Sequence, residues 1–375
     1  MSDAIKQYQI YMDQISSEEI PHYEPTIGDK EKEYVNDVLA RNWFSEGKYT
    51  RLFEKGISKF CNIKHALALC NGTAALILGF KALGIGKGDK IIVPTFTHPA
   101  DVNSILAVGA EPVFCDINSN NYSIDPEKLN DCIDEKTKAV LIVHLYGFAV
   151  NMKKVMEIAK LKGIHVIEDC AQALGVKYDN KNVGTFGDFG MLSFFADKTI
   201  TTGEGGILIT NDEKIIEEVN IYKHDGRRER GIDIIERPGY NFRITELQTA
   251  IGFAQLESLP LFIDRKIKNN SLYKKYLSNI DNVFFPVEDN ETYRIPHRVI
   301  VEVDDPESLK MFLSRKGIGC RRFYIPMHTQ PYINIEGDFP NSEKAYERGL
   351  CLPSFPMLTE SQIQCVCENI VEYYK

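Results

Sequence analysis

No apolar run in this 375-residue sequence approaches the ~18 residues that a membrane-spanning helix needs. The nearest, from Ala139 to Val150, is interrupted by His144. The N-terminus, MSDAIKQYQIYMDQISSEE, is polar throughout, so it does not read as a secretion signal. An excess of basic residues is also missing: 44 Lys and Arg stand against 53 Asp and Glu, a net charge of −9. That balance disfavours nucleic acid as the main partner, while a local basic pocket for a phosphate stays open. The nine cysteines are odd in number, scattered and never spaced as CxxC. This is the usage of reduced thiols in a cytoplasmic protein. Neither a GxxxxGK[ST] loop nor a strand-following GxGxxG occurs, so the usual nucleotide-binding explanations of glycine fail. Internal repeats and low-complexity tracts are lacking too.

What is present is a globular composition, 43% hydrophobic and 26% charged, in a length that suggests two or three domains. From residue 64 short apolar runs alternate with helical patterns. HALALC (65–70), KIIV (90–93), PVFCDI (112–117), AVLIVH (139–144) and HVIE (165–168) read as strands. Helices are expected over 72–83, 99–108, 126–133 and around Met152, Val155, Met156 and Ala159, spaced i, i+3, i+4, i+7. Continuous rather than alternating apolar strands are buried on both faces, which points to a parallel sheet between helices, an α/β fold. After Asp212 a helix to Lys223 precedes HDGRRERGIDIIERPG, a segment too polar for a core and expected as a loop. A helix from Thr245 bends or restarts at Pro260 and runs to about Ile280. The last hundred residues mix strands with helices, as a smaller α+β domain would.

Three elements carry chemistry. Asn71-Gly72-Thr73 lies where a strand ends and a helix begins; it reads as a phosphate site or, more commonly, as a plain helix cap. Asp169 follows HVIE at the strand's carboxyl end, where α/β sheets place ligands. It reads equally as a helix cap or as a partner for a heteroaromatic N–H⁺, and no His or Cys at ligand spacing supports a metal. In SFFADKTITTGEGGILITND (193–212), Lys198 sits between an apolar strand and a turn with Gly203, Gly205 and Gly206. Most loop lysines are solvated charges, but Phe194, Phe195 and Ile200 flank this one, and desolvation would free its amine. Ser193 is a second candidate phosphate ligand. A phosphate cradle, an acid after one strand and a reactive lysine after the next are together what pyridoxal phosphate (PLP) requires.

The stretch GTFGD…SFFADKTITTGEGGILITND resembles the sugar aminotransferases of PLP fold type I. The resemblance extends over PTIGDKEKEYVNDVL (25–39), CNGTAAL (70–76), VPTFTHPADVN (93–103), VHLYG (143–147), IEDCAQALG (167–175), GYNFRITELQTAIG (239–252) and LPSFP (352–356). Within the family the run KTITTGEGG looks most like the perosamine-synthase branch, which aminates C4 of a nucleotide-linked 4-keto-6-deoxy sugar. The resemblance implies an aspartate aminotransferase-like fold. A large PLP-binding domain would span 1–250, with an extension over 1–20, and a smaller C-terminal domain would span 251–375.

It also implies roles. Lys198 would form the Schiff base and then shuttle the proton, Asp169 would pair with the pyridine nitrogen, and Gln172 would lie near the ring's 3′ oxygen. Gly72, Thr73 and Ser193 would hold the phosphate, joined by Asn241 and Arg243 from the other subunit of a homodimer. His328 resembles a position near the nucleotide sugar, though an ordinary loop histidine fits nearly as well. His98 departs from the family, which usually has a larger aromatic ring there to stack on the cofactor; imidazole is planar but smaller. The implied donor is L-glutamate, and the implied product feeds a surface polysaccharide such as an O-antigen. A 3-keto sugar aminotransferase is one alternative. A PLP-dependent sugar dehydratase is another, but that branch replaces the lysine with histidine, against Lys198. A non-catalytic PLP-fold regulator and a nicotinamide oxidoreductase lack their own signatures here.

Overall fold

The apolar runs of the first half become strands β1 (His65–Leu69), β2 (Lys90–Pro94), β3 (Glu111–Cys115), β4 (Thr137–Val143), β5 (His165–Asp169), β6 (Phe189–Ser193) and β7 (Gly206–Thr210). The computed structural model describes residues 19–229, 231–288, 291–333 and 335–375. Most of the expected extension, residues 1–18, therefore lies outside the described residues. The seven strands form one sheet in the order β1-β7-β6-β5-β4-β2-β3. Neighbours from β6 to β3 run parallel, but β7 is antiparallel to both β1 and β6. The sheet is thus mainly parallel with one reversed strand. Composition cannot reveal that reversal, because a strand buried on both faces looks the same in either direction.

Helix α1 (Asp29–Arg41) precedes α2 (Lys48–Cys61), α3 (Gly72–Ala82), α4 (Pro99–Ala107), α5 (Met152–Lys162) and α6 (Glu213–Lys223), and the latter five cover the two faces. One face packs Phe53 and Ile57 of α2 and Val155 and Ile158 of α5 into a core with Ile142, Val166 and Ile207. The other packs Leu76 and Phe80 of α3, Val102 and Ile105 of α4, and Val219 of α6 against Leu69, Leu141 and Leu208. The helix expected over 126–133 is only a short 3₁₀ turn, Leu129–Cys132. Asn130 and Asp131 are poor helix formers, and Asp134 turns back to accept from Lys136 N at 2.9 Å, which ends the turn.

Helix α7 (Glu246–Tyr276) is 31 residues long and continues through Pro260, so the restart expected there does not occur. Thr245 caps it in a reciprocal box with Gln248. Residue 250, the expected domain boundary, falls inside this helix. Leu259, Phe262 and Ile263 join the core under the large sheet, whereas Tyr273 belongs to a second core. That core lies under β8 (Val299–Glu302), β9 (Arg321–Arg322) and β10 (Gly349–Leu352), an antiparallel sheet with β10 in the centre. Helices α8 (Pro306–Arg315), α9 (Pro340–Arg348) and α10 (Glu360–Tyr373) accompany it. Among the described residues, no helix is long and apolar enough to cross a membrane.

Candidate active site

The carboxyl ends of β1, β5 and β6 and the start of the reversed β7 share one edge of the large sheet. Gly206 pairs with both Leu69 and Ser193, and Asp169 lies between Val143 and Met191. A Cβ on Gly206 would come within 2.4 Å of the Asn71 carbonyl and 2.6 Å of Gly72 N. Only glycine lets β7 pass so close to the start of α3. Asn71 Oδ1 accepts from Ala74 N at 2.8 Å, so the cap reading is correct for Asn71. The N–H groups of Gly72 and Thr73, which open the helix, have no helical acceptor and face the cavity end of the dipole.

Between β6 and β7 the chain makes the turn that carries Lys198. Phe194 N donates to Gly205 O at 2.9 Å and Lys198 N to Phe195 O at 3.0 Å. Thr201 Oγ1 donates to Phe194 O at 3.0 Å and accepts from Gly203 N at 2.9 Å. The two threonines after Ile200 therefore tie the turn shut with their hydroxyls, Thr202 Oγ1 donating to Glu204 O at 2.6 Å. The Lys198 side chain is 13% exposed, and its Nζ lies 3.2 Å from Asp197 Oδ1. Burial pushes its pKa down, Asp197 opposes that, and Arg298 adds to the lowering. For Asp197, burial pushes upward, but Lys198 and Arg298 outweigh it and the net shift is downward.

A cavity of about 350 Å³ brings together Gly72, Thr73, His98, Asp169, Gln172, Ser193 and Lys198. Asp169 Oδ1 accepts from Ala171 N at 2.6 Å, which fixes the carboxylate at the strand end and makes it a turn cap as well as a cavity wall. Gln172 spends both ends of its amide on protein: Oε1 accepts from Tyr146 N at 2.9 Å and Nε2 donates to Tyr324 Oη at 3.1 Å. Tyr146 stands at φ +53°, outside the common range for a bulky residue. His98 caps α4, its Nδ1 accepting from Ala100 N at 3.1 Å, and its ring meets Tyr324 edge-on at 5.8 Å. Burial, then Lys198, lowers the His98 pKa.

Three expected residues do not line this cavity. His328 is buried behind its wall, with Nδ1 2.7 Å from Thr95 Oγ1 and the ring 4.6 Å from that of Phe339. Its Nε2 faces Glu343 Oε1 at 3.3 Å, so both ring nitrogens have protein partners. Arg243 is paired with Asp225 at 3.0 Å and Asn241 bridges to His224. Both stand outside this chain's own cavity.

Sequence reasoning missed other wall residues, among them Asp197, Glu204, Arg321 and Tyr324. Arg321 and Tyr324 come from β9 and the segment after it, and no spacing rule links them to Lys198. Asp101, one turn into α4, was missed too. It is fully buried and takes a hydrogen bond from Thr97. Burial, followed by the Asp169 carboxylate beside it, pushes its pKa well above the usual carboxylate range.

His144, Glu168 and Cys170 cluster beneath the site. Glu168 and His144 are already occupied: Glu168 accepts from Gly184 N, Phe186 N and Gly187 N at 2.7–2.8 Å and faces His144 Nε2 at 3.1 Å, and His144 Nδ1 accepts from Val150 N at 3.2 Å. Glu168 thereby holds the 184–187 loop.

The profile of the DegT/DnrJ/EryC1/StrS aminotransferase family matches residues 25–371. The chain is 40% identical over 361 residues to the GDP-perosamine synthase of Escherichia coli O157:H7, covering 95% of this chain and 98% of that protein. Its structure resembles that of S. venezuelae DesV in complex with a ketimine intermediate, with TM-score 0.91, 27% identity and coverage of 96% and 99%. It also resembles the PLP form of the putative sugar aminotransferase Spr1654 of Streptococcus pneumoniae, with TM-score 0.88, 26% identity and coverage of 93% and 97%.

Proposed function

The chain belongs to the DegT/DnrJ/EryC1/StrS aminotransferase family, and from that premise we propose that it transfers an amino group from L-glutamate to C4 of a nucleotide-linked 4-keto-6-deoxy sugar. It is a PLP-dependent aminotransferase of fold type I. The 40% identity to a GDP-perosamine synthase over nearly the full length supports the choice of C4. One observation carries the reading of the site. The Lys198 amine, the Asp169 carboxylate and the open N-terminus of α3 converge on a single cavity.

The residues fit the cofactor. The Gly72 and Thr73 N–H groups and the Ser193 hydroxyl form an anion cradle, and a Cβ on Gly72 would strike Met191 Sδ at 2.7 Å. Bound there, pyridoxal 5′-phosphate supplies an electron sink for the carbon that loses its proton. Asp169 would hold the proton on the pyridine nitrogen, and Lys198 Nζ would take the proton from Cα of the donor and return it on the acceptor side. His98 would pack against the ring, and Gln172 would fix the wall near its 3′ oxygen. The net exchange is the glutamate amino group for the ketone oxygen of the sugar, so glutamate leaves as its 2-keto acid and the sugar as the 4-amino sugar.

Asn241 and Arg243 complete the phosphate site of the other protomer in a homodimer, consistent with their place outside this chain's cavity. An isologous interface would give two equivalent shared sites. We place the division between the PLP-binding domain and the smaller domain within α7, where its contacts pass from one core to the other, and the enzyme in the cytoplasm, serving surface-glycan synthesis. The test is incubation of the PLP-loaded protein with glutamate and a panel of nucleotide keto sugars, followed by mass spectrometry. Amination of 4-keto sugars is expected; amination of 3-keto sugars alone would overturn the C4 assignment.

A further inference from the structure

Behind Lys198 runs a buried ionic chain that the reaction, as set out so far, leaves unused. Lys198 Nζ faces Asp197 Oδ1 at 3.2 Å, and Asp197 Oδ2 accepts from Arg298 Nη2. Arg298 is 2% exposed. Its Nη1 lies 3.1 Å from Nδ1 and 3.0 Å from Nε2 of His22, so it faces the ring rather than one lone pair. His22 belongs to a strap laid along the small unit: Ile20 N donates to Gly317 O at 2.8 Å and Gly319 N to Ile20 O at 2.8 Å. Ser354 N donates to His22 O at 3.1 Å. Burial, then Arg298, pushes the His22 pKa down to about 3, so at neutral pH the ring carries no charge.

The arrangement restricts Asp197. A buried guanidinium without a carboxylate is strongly unfavourable, so Arg298 keeps one carboxylate oxygen. The other oxygen, Oδ1, has no partner among the described residues besides the lysine amine, 3.2 Å away. Other groups act on the same amine: Asp169 and Asp101 from the cavity side, His98 from the start of α4, and Lys266 and His297 from behind. Lys266 Nζ is taken up by His297 O at 2.8 Å. Of the carboxylates, Asp197 is the one within 4 Å of Nζ.

We propose that Asp197 is the positioning partner of Lys198, aiming its amine into the cavity and favouring the ammonium in the cofactor-free chain, with Arg298 and the strap's His22 fixing Asp197 in place. The proposal rests on the reading of Lys198 as the reactive amine. Two of its three supports come from far along the chain, so the segment around residue 22 reaches the chemistry through an arginine.

The experiment uses the full chain freed of cofactor. Lys198 is acylated with acetic anhydride across a pH series and followed by peptide mass spectrometry, which gives the pH midpoint of its reactivity. Asp197→Asn removes the carboxylate and leaves Arg298 unpaired, and both changes disfavour the ammonium. The midpoint should fall by at least about one pH unit, a tenfold gain in free amine at a given pH. Asp197→Glu should hold it near wild type. An unchanged midpoint in folded Asp197→Asn would overturn the proposal and leave Asp197 as a mere counter-ion of Arg298. If Asp197→Asn does not fold, Arg298→Gln decides: the midpoint should rise once the cation is gone, and no rise overturns the coupling. Loss of the underlying reading looks different, because borohydride would then fix the cofactor to a lysine other than Lys198, whatever the midpoint.

Discussion

Lys198 and Lys223 each carry an amine out of water beside a carboxylate, and the contrast between them separates structure from reactivity. Lys223 is 2% exposed; its Nζ donates to Glu46 Oε1 at 2.7 Å and to Ala68 O at 3.2 Å. Glu46 turns its other oxygen to His224 Nε2 at 3.1 Å. Every group there has a short contact, and the ensemble fixes α6 to the segment before α2. Lys198 has one carboxylate at 3.2 Å and an open cavity on its other side. Proximity of opposite charges is common to both. What differs is whether the donors of the amine are used up, and an amine with donors to spare next to a cavity is the one available for bonding.

The sharpest way to break this comparison is to remove each lysine in turn. Lys198→Ala should lower turnover by about 10³-fold or more, since both the covalent anchor and the proton shuttle go. Borohydride should no longer fix cofactor to the peptide spanning residue 198. Lys223→Ala should do the reverse. It takes the ammonium away from the buried Glu46 carboxylate, a loss of about 3–5 kcal/mol of stability, while the folded fraction keeps its rate; chemical denaturation and kcat per folded site measure the two. A comparable loss of turnover from both variants would erase the distinction.

Asp169→Asn tests the far wall. It should retain cofactor and lose about 10² in rate, because the amide cannot hold a proton on the pyridine nitrogen; stopped-flow rates with glutamate alone give the answer.

A smaller effect sharpens the structural side. Burial opposes the Glu46 charge, but His224 and Lys223 together hold its pKa at about 2, below the ordinary 4.5. A depressed native pKa means that this carboxylate contributes stability in full above pH 4.5 and loses it as the pH falls toward 2. The denaturant midpoint of wild type should drop through that window, and Glu46→Gln, already lower, should drop less. Smallest of all, His98→Phe should change turnover by no more than a few-fold, as packing on the cofactor needs a plane rather than a titrating ring. A large loss, with an altered pH profile, would give the imidazole a role of its own.

Much of the large sheet was legible because its strands are apolar over their whole length and its helices carry their caps in the sequence, Asn71 and Thr245 among them. The residues that share the cavity, Gly72, Asp169, Ser193 and Lys198, were legible because each ends or follows a strand or opens a helix. Other features depend on contacts that local pattern does not encode. Asp197 stood in the same motif as Lys198, but its meaning comes from Arg298, 101 positions away. Arg321 and Tyr324 come from β9 and the segment after it, and the burial of His328 was not legible because a polar side chain in a loop carries no mark of it. The reversal of β7 was hidden for the same reason: direction is set by pairing, not by composition.

Helix α7, by joining the two cores, bears on how the molecule comes apart. At ~1.5 Å per residue it is about 46 Å long, and its Phe262 and Tyr273 sit in different cores with no linker between them. Melting of the small unit would strip packing from the last turns of a helix whose middle buttresses the large one. The two units should therefore unfold in a single cooperative transition, seen alike by calorimetry and by tyrosine fluorescence. A fragment ending at residue 250 would leave Phe53 and Ile57 of α2 without the helix that packs on them, and should aggregate rather than fold.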